Sequence, residues 1–152
     1  MIQRVQSIFI LVAIISSVVA LLFPYSVIYV PTEPNATTII SYYHRIITDI
    51  NGVVEVKGNY LIVSFLCLGI FLSVFALFGY KNRNAQYRIT RFTVLIYLCL
   101  ILFLLFGYNQ DATEINYKLG IYFPMLSLLL LFFASVFIRR DENLVRAADR
   151  LR

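Results

Sequence analysis

Charged residues are scarce in this sequence of 152 residues, and four long stretches contain none at all. Asp, Glu, Lys and Arg make up 14% of the chain, against about 25% in an ordinary soluble domain. The uncharged stretches run from Val5 to Thr32, Gly58 to Tyr80, Phe92 to Gln110 and Leu119 to Ile138. Each of them is long enough to cross the hydrocarbon core as a helix, which takes roughly 18 apolar residues or more. The sequence therefore predicts a membrane protein that crosses the bilayer several times.

Side chains that carry chemistry are also few. The four uncharged stretches also contain no histidine, so they lack the groups that usually mark ion paths or catalytic sites inside a membrane. Cys67 and Cys99 lie in apolar runs without a CxxC motif, so they are expected to act as small hydrophobic residues. The only histidine, His44, cannot by itself supply the three or four ligands of a zinc site. We therefore expect no catalytic residues, no metal and no cofactor, and a protein that is not an enzyme.

The uncharged stretches predict four transmembrane helices, at about residues 7–29, 60–80, 89–108 and 119–138, in a single integral membrane domain of residues 1–152. The start of the first helix resembles a secretory signal, with Arg4 before an apolar run. That run continues past Ala20 without a polar segment, so an uncleaved anchor is expected.

The distribution of Lys and Arg predicts the orientation. With four spans, the N-terminus, the segment 81–91 and the tail 139–152 lie on one side and hold ten of the 13 basic residues. The other side holds Arg45, Lys57 and Lys118. Since cytoplasmic loops carry the excess of Lys and Arg, both termini are predicted to be cytoplasmic.

The longest predicted outer loop, residues 30–59, has the pattern of a small β element. β-Branched and aromatic residues dominate from Thr37 to Ile50, and Asn51-Gly52 separates them from a second such run, Val53 to Lys57. Asn-Gly between two such runs is a strong signal for a tight hairpin turn. An isolated hairpin is marginally stable in water, so this one is expected to pack on the loop from Asn109 to Lys118 or on a partner.

The predicted inner loop, Lys81 to Arg91, is short and basic. Its expected role is contact with anionic lipid headgroups, through Lys81, Arg83, Arg88 and Arg91. Because no nucleic-acid-binding fold surrounds it, we expect no nucleic acid partner.

The tail from residue 139 onward has helical, amphipathic spacing. Acidic residues lie at its start and arginines at its end, which favours a helix. It is either a straight extension of the fourth helix or an amphipathic cytoplasmic helix on the membrane surface. Its candidate interaction residues are Leu144, Val145, Arg146, Ala148, Asp149, Arg150 and Leu151.

Two rows of small residues predict close helix contacts. The first is Ala13, Ser17 and Ala20 in the first helix, and the second is Gly69, Ser73 and Ala76 in the second helix. In lipid, small residues let helix backbones approach each other closely. The favoured interpretation is packing within the bundle, and the alternative is a homodimer face.

Three segments of the chain resemble a known family. They are the N-terminal Met1 to Ser7, the basic segment from Tyr80 to Arg83 with Gln86 and Arg88, and the tail from Arg140 to Arg152. They resemble the bacterial "domain of unknown function" family DUF4293, although Lys and Ser are expected at the positions of Asn143 and Ala147. The resemblance implies a small four-helix protein of the bacterial inner membrane, and it implies no activity.

The predicted fold is thus an all-α membrane bundle of four helices, with a small extracytoplasmic β element between the first two helices and a cytoplasmic amphipathic C-terminal helix. The first functional hypothesis is a non-enzymatic scaffold or accessory subunit that binds another membrane protein or complex as well as the lipid bilayer. The alternative is a small transport or lipid-handling protein.

Overall fold

The computed structural model describes residues 3–29, 37–49, 52–79, 82–107 and 114–150. Its four helices are α1 (Gln3–Ala20), α2 (Tyr60–Phe78), α3 (Arg83–Phe106) and α4 (Tyr122–Arg150). Each helix packs against the next one along the chain, and α4 packs against α1, so the four form a closed ring. The fold is mostly helical, with one small sheet.

The sheet has five antiparallel strands, and its strands come from the two connections between helices at one end of the bundle. The strands are β1 (Ser26–Tyr29), β2 (Thr37–Ile40), β3 (His44–Asp49), β4 (Gly52–Gly58) and β5 (Glu114–Tyr117), in the spatial order β4-β3-β2-β1-β5. The first four strands lie between α1 and α2, and β5 lies between α3 and α4. We call this the sheet end of the bundle, and the opposite end, where α1 begins and α4 finishes, the termini end.

The helices are apolar on their outward faces as well as inside the bundle. Among the described residues, three segments are long and apolar enough to cross a membrane, namely Tyr60–Phe78, Asn84–Phe106 and Leu119–Val145. Only 28–39% of the apolar part of each segment is buried inside the protein. Large apolar side chains such as Phe71, Phe75, Leu102 and Phe133 are exposed on the outside of the bundle. A soluble monomer rarely exposes so extensive an apolar surface. This surface is that of a membrane protein.

The first helix is shorter than the predicted span 7–29. It ends at Ala20, its apolar part is Val5–Ala20, and residues 26–29 form strand β1 instead. Pro24 explains the difference, since proline has no backbone N–H and disfavours helical geometry in the residue before it. Beyond it, the backbone N–H of Tyr25 donates to the carbonyl of Ile40 at 3.0 Å, so the chain has already joined the sheet.

The β element is larger than a hairpin. Strands β3 and β4 pair as the sequence predicts, and their pairing extends to Asp49 and Gly52. Ile50 and Asn51 lie outside the described residues. The loop expected to support the hairpin contributes β5, which pairs with β1. The sheet therefore ties the two loops at this end together by backbone hydrogen bonds.

Two segments that lie outside the predicted spans, the inner loop and the tail, are largely helical and continuous with the neighbouring spans. Helix α3 begins at Arg83, so most of the predicted inner loop is helical, and α4 runs to Arg150. Neither Gly nor Pro interrupts the sequence at these positions, so nothing in the chain ends the helices there. Of the two interpretations of the tail, the structure has the straight extension of α4.

A buried junction joins the sheet to the bundle. The hydroxyl of Tyr42 donates to the carbonyl of Gly120 at 2.8 Å, and the backbone N–H of Gly120 donates to the carbonyl of Pro24 at 3.1 Å. The rings of Tyr25 and Tyr42 lie 5.3 Å apart between centroids. Burial raises the pKa of the Tyr42 hydroxyl, because a phenolate there would lose its hydration.

Candidate functional site

Both predicted rows of small residues lie inside the bundle. Ala13, Ser17 and Ala20 of α1 are buried, and so are Gly69, Ser73 and Ala76 of α2. They pack within one chain.

At the centre of the bundle, Tyr97 of α3 reaches the helix diagonally opposite. Its hydroxyl lies 2.6 Å from Oγ of Ser17 on α1, and its ring lies against Gly69 on α2. The Ser17 hydroxyl is also 2.9 Å from Oγ of Ser127 on α4. Hydrogen bonds therefore join residues of α1, α3 and α4, and the ring of Tyr97 adds a packing contact with α2. Each hydroxyl in this cluster is buried and has a hydrogen-bond partner.

A second buried polar contact lies at the termini end. The side-chain amide of Gln6 on α1 donates to a carboxylate oxygen of Asp141 on α4, and both side chains are nearly inaccessible to solvent. On α3, Gln86, Thr90 and Thr93 are also buried. The contact holds the extension of α4 against the start of α1.

An open groove of about 750 Å³ lies between α3 and α4, toward the termini end. Its α3 wall includes Tyr87, Arg91 and Leu95, and its α4 wall includes Phe132, Val136, Arg139 and Arg140. The basic side chains of the groove, from Arg91, Arg139 and Arg140, thus lie next to the ends of the uncharged stretches. Apolar side chains line the part of the groove that lies further along the helices, toward the middle of the bundle. The groove is amphipathic along its length.

The structure distributes the candidate headgroup residues over α3. Arg88 and Arg91 are exposed on the first turns of this helix, and only Arg91 lines the groove. Arg83 is the first residue of α3, but its side chain is not among those described, and Lys81 lies outside the described residues.

The candidate interaction residues of the tail belong to the last turns of α4. Leu144 and Val145 are 54% and 43% exposed. Arg146, Ala148, Asp149 and Arg150 are helical, but their side chains are outside the described ones, as is the whole of Leu151. Among the tail side chains that the structure describes, Leu144 and Val145 are thus apolar and exposed.

The residues considered for metal and redox chemistry are dispersed in the described part of the chain. There, no three His, Cys, Asp or Glu side chains come together as a metal site would require. Cys67 and Cys99 are free thiols on exposed surfaces of α2 and α3. The ring of His44 packs against that of Tyr43, with centroids 4.3 Å apart.

Sequence reasoning missed Tyr97, Tyr42 and the groove. A polar signal was available for Tyr97, because it shares one helical face with Thr90 and Thr93 in an otherwise apolar span. The groove gave no such signal, because Arg91 and Arg139 are 48 positions apart in the sequence, and only the packing of α3 against α4 brings them to one groove.

Comparison with known families shows where the chain belongs. The family model described as "Domain of unknown function (DUF4293)" matches residues 2–151, which confirms the resemblance found in the sequence. No curated protein matches the chain.

Proposed function

Since the chain belongs to the DUF4293 family, whose description assigns no activity, we propose a function from its geometry: a non-enzymatic integral membrane protein that serves as a scaffold or accessory subunit of a complex in the bacterial inner membrane. Four helices cross the bilayer, both termini are cytoplasmic, and the sheet is extracytoplasmic. The partner is another membrane protein.

The closed ring of helices supports four spans. Helix α1 has 18 residues, and at 1.5 Å per residue it is about 27 Å long, close to the ~30 Å of the hydrocarbon core. It packs between α2 and α4, so it lies at the same depth as two helices that are long enough to span. Its outward side chains, Ile8, Leu11 and Ile15, are exposed and apolar, as lipid contact requires.

The charge distribution supports the orientation. Most of the basic residues flank the termini end. The two connections that contain the strands carry Arg45, Lys57 and Lys118 against five acidic residues. Positively charged segments are retained in the cytoplasm during insertion.

The length of α4 is the observation that carries the scaffold role. The helix has 29 residues, and the part beyond Ile138 extends about 18 Å past the last uncharged position. Membrane insertion alone does not require this projection, and Leu144 and Val145 are exposed on it. An exposed helix with apolar side chains outside the membrane is suited to docking against another protein.

Photocrosslinking in cells tests the docking role. A photoreactive residue at Val145 should give one discrete protein adduct, because this side chain faces outward on the projection. The matched control is Leu126, an equally exposed residue of the same helix within the uncharged stretch, which should crosslink to lipid. The scaffold role is wrong if Val145 gives no protein adduct or the same adducts as Leu126.

Reporter fusions test the topology separately. An alkaline phosphatase reporter inserted at Gly52 should be active outside the cytoplasm, and a green fluorescent protein after Arg152 should fluoresce inside. An external C-terminus would contradict four spans.

A second candidate, lipid handling, is favoured by the groove between α3 and α4. Lipid handling needs an amphipathic surface that opens to the bilayer. The groove has arginines and, nearer the middle of the bundle, the exposed side chains of Phe132 and Val136.

A further inference from the structure

The polar end of the groove between α3 and α4 is positively charged. Arg91 from α3 and Arg139 and Arg140 from α4 border it, and the described residues that line it include neither Asp nor Glu. Three guanidinium groups on two adjacent helices make a site for an anion, because arginine binds phosphate through several N–H donors at once.

The side chain of Arg91 is oriented by its neighbour. One of its terminal nitrogens donates to the hydroxyl of Tyr87 at 3.1 Å, and its guanidinium carbon lies 5.6 Å from the centre of the Tyr87 ring. This hydrogen bond uses one of the five N–H donors of the guanidinium group. An arginine that is already positioned loses less conformational freedom when it binds an anion.

The other end of the groove is apolar and open to the outside of the bundle. Leu95 of α3 and Phe132 and Val136 of α4 line it, and all three are exposed. Asn143 and Leu144 line the groove beyond the arginines, at the termini end. From the arginines toward the middle of the bundle, the order is cationic side chains and then apolar side chains. A phospholipid has this order, from phosphate to acyl chain.

The depth of the arginines in the membrane selects the ligand. Arg91 immediately precedes the uncharged stretch Phe92 to Gln110, and Arg139 immediately follows the stretch Leu119 to Ile138. Since α3 and α4 are antiparallel neighbours, both arginines lie where the hydrocarbon core ends and the phosphates begin. We propose that this groove is a binding site for one phospholipid with an anionic headgroup, whose phosphate contacts Arg91, Arg139 and Arg140 and whose acyl chains lie on Leu95, Phe132 and Val136.

The site rests on the membrane insertion proposed above and is independent of the scaffold role. A cytoplasmic acidic peptide could contact the arginines, but it would not contact the apolar part of the groove. That part lies at the depth of the acyl chains, where only lipid is present. Basic clusters between transmembrane helices on the cytoplasmic side are suited to anionic headgroups. The lipid is thus the ligand that matches both ends.

The sequence contains no tryptophan, so a single introduced tryptophan reports on its own surroundings. Phe132→Trp places the reporter in the groove. Phe71→Trp is the matched control, an exposed residue on α2. Phe132 lies ten residues from the start of α4, and Phe71 lies eleven residues from the start of α2. Both helices start at the sheet end, so the two positions are about 15–17 Å from that end.

Both variants are reconstituted in vesicles of phosphatidylglycerol and phosphatidylcholine, with bromine on the acyl chains of one lipid at a time to quench nearby tryptophan. At Phe132→Trp, the apparent association constant for phosphatidylglycerol should exceed that for phosphatidylcholine about fivefold or more, the scale expected for one basic residue at a membrane surface. At Phe71→Trp the two lipids should quench about equally.

Arginine substitutions then separate a site from general attraction to a basic surface. In the Phe132→Trp background, Arg91→Gln and Arg139→Gln should each lower the preference for phosphatidylglycerol about fivefold. Arg88→Gln makes the same change of charge on the same helix, but Arg88 does not line the groove, so the preference should be kept.

Three results would overturn the site. They are equal quenching by the two lipids at Phe132→Trp, a preference for phosphatidylglycerol at Phe71→Trp as large as at Phe132→Trp, or a loss of preference with Arg88→Gln as large as with Arg91→Gln. Absence of quenching by either lipid at Phe71→Trp would instead contradict membrane insertion, and with it the proposed function.

Discussion

The ring of Tyr97 lies directly against Gly69. A Cβ atom at Gly69 would be 2.9 Å from Cε2 and 3.0 Å from Cζ of that ring, closer than atoms can pack without displacement. Glycine at this position of α2 therefore makes room for Tyr97 to cross the bundle from α3 to Ser17 on α1. The contact explains why a small residue is needed there: it accommodates an aromatic ring as well as the neighbouring helix.

The first prediction is that Gly69→Ala destabilises the protein by about 1–3 kcal/mol, the usual cost of overpacking. The added methyl group must displace a ring that is held at its far end by a hydrogen bond to Ser17. Thermal unfolding in detergent measures the effect. Gly79→Ala, at the end of the same helix with no atom within 4 Å of the added Cβ, should leave the melting temperature unchanged. Equal stability of the two variants would contradict the contact.

The second prediction concerns the hydrogen bond between Ser17 and Tyr97. Ser17→Ala and Tyr97→Phe should each destabilise the protein by about 0.5–2 kcal/mol, as interhelical hydrogen bonds in membranes do. Because each change breaks the same bond, the double variant should lose less than the sum of the two. Ser64→Ala is the control, since this exposed hydroxyl bonds only within its own helix. Additive losses would show that the two hydroxyls do not interact.

The sequence predicted the parts of the fold that depend on local composition. Uncharged runs located α2, α3 and α4, and the Asn51-Gly52 pattern located the hairpin of β3 and β4. Both are short-range signals, the first set by the thickness of the bilayer and the second by turn geometry. The small residues on α1 and α2 were found for the same reason, since helical spacing places them on one face.

The remaining features depend on contacts between distant segments. Val27 and Ile28 belong to an apolar run that is consistent with either a helix or a strand, and pairing with β2 and β5 decides for the strand. Tyr42 and Tyr97 are buried by elements far away in the sequence. The contact of Gln6 with Asp141 joins residues 135 positions apart, so no local pattern could indicate it.

The third prediction is that Tyr42→Phe weakens the junction between sheet and bundle. The variant loses the hydrogen bond to the carbonyl of Gly120 and leaves that buried acceptor unsatisfied, which costs about 1–3 kcal/mol. Tyr43→Phe makes the same chemical change at the next residue, whose side chain is half exposed, and should be close to neutral. Thermal unfolding of the two variants checks the difference. A larger loss for Tyr43→Phe would contradict the junction.

The fourth prediction is that Tyr42 makes the fold sensitive to alkaline pH. Burial raises the pKa of its hydroxyl in the folded state, whereas an unfolded tyrosine ionises near pH ~10. Between these two values the unfolded state gives up a proton that the folded state keeps, so stability is full below pH ~10 and falls as the pH rises above it. Tyr42→Phe should reduce the slope of unfolding free energy against pH in that range, and Tyr43→Phe serves as the reference. An unchanged slope in Tyr42→Phe would contradict burial of this hydroxyl.

The last prediction concerns the contact between Gln6 and Asp141, which holds the projecting part of α4 against α1. Gln6→Leu removes the donor and leaves a buried carboxylate without it, which costs about 1–3 kcal/mol or more for a charged group. Gln6→Glu places a second carboxylate beside the first and should destabilise the contact further.

Trypsin cleavage after Arg139 and Arg140 in detergent measures how far the end of α4 has loosened, because both bonds lie in the helix next to the contact. Substituting Gln6 leaves the sequence around these cleavage sites unchanged, so their rates can be compared directly. Cleavage should accelerate from the native protein to Gln6→Leu and again to Gln6→Glu. Adding Asp141→Leu to Gln6→Leu replaces both partners by apolar groups and should recover most of the lost melting temperature, since no polar atom is then left unsatisfied. If all three proteins are cut at the same rate and melt together, the contact does not hold the end of α4.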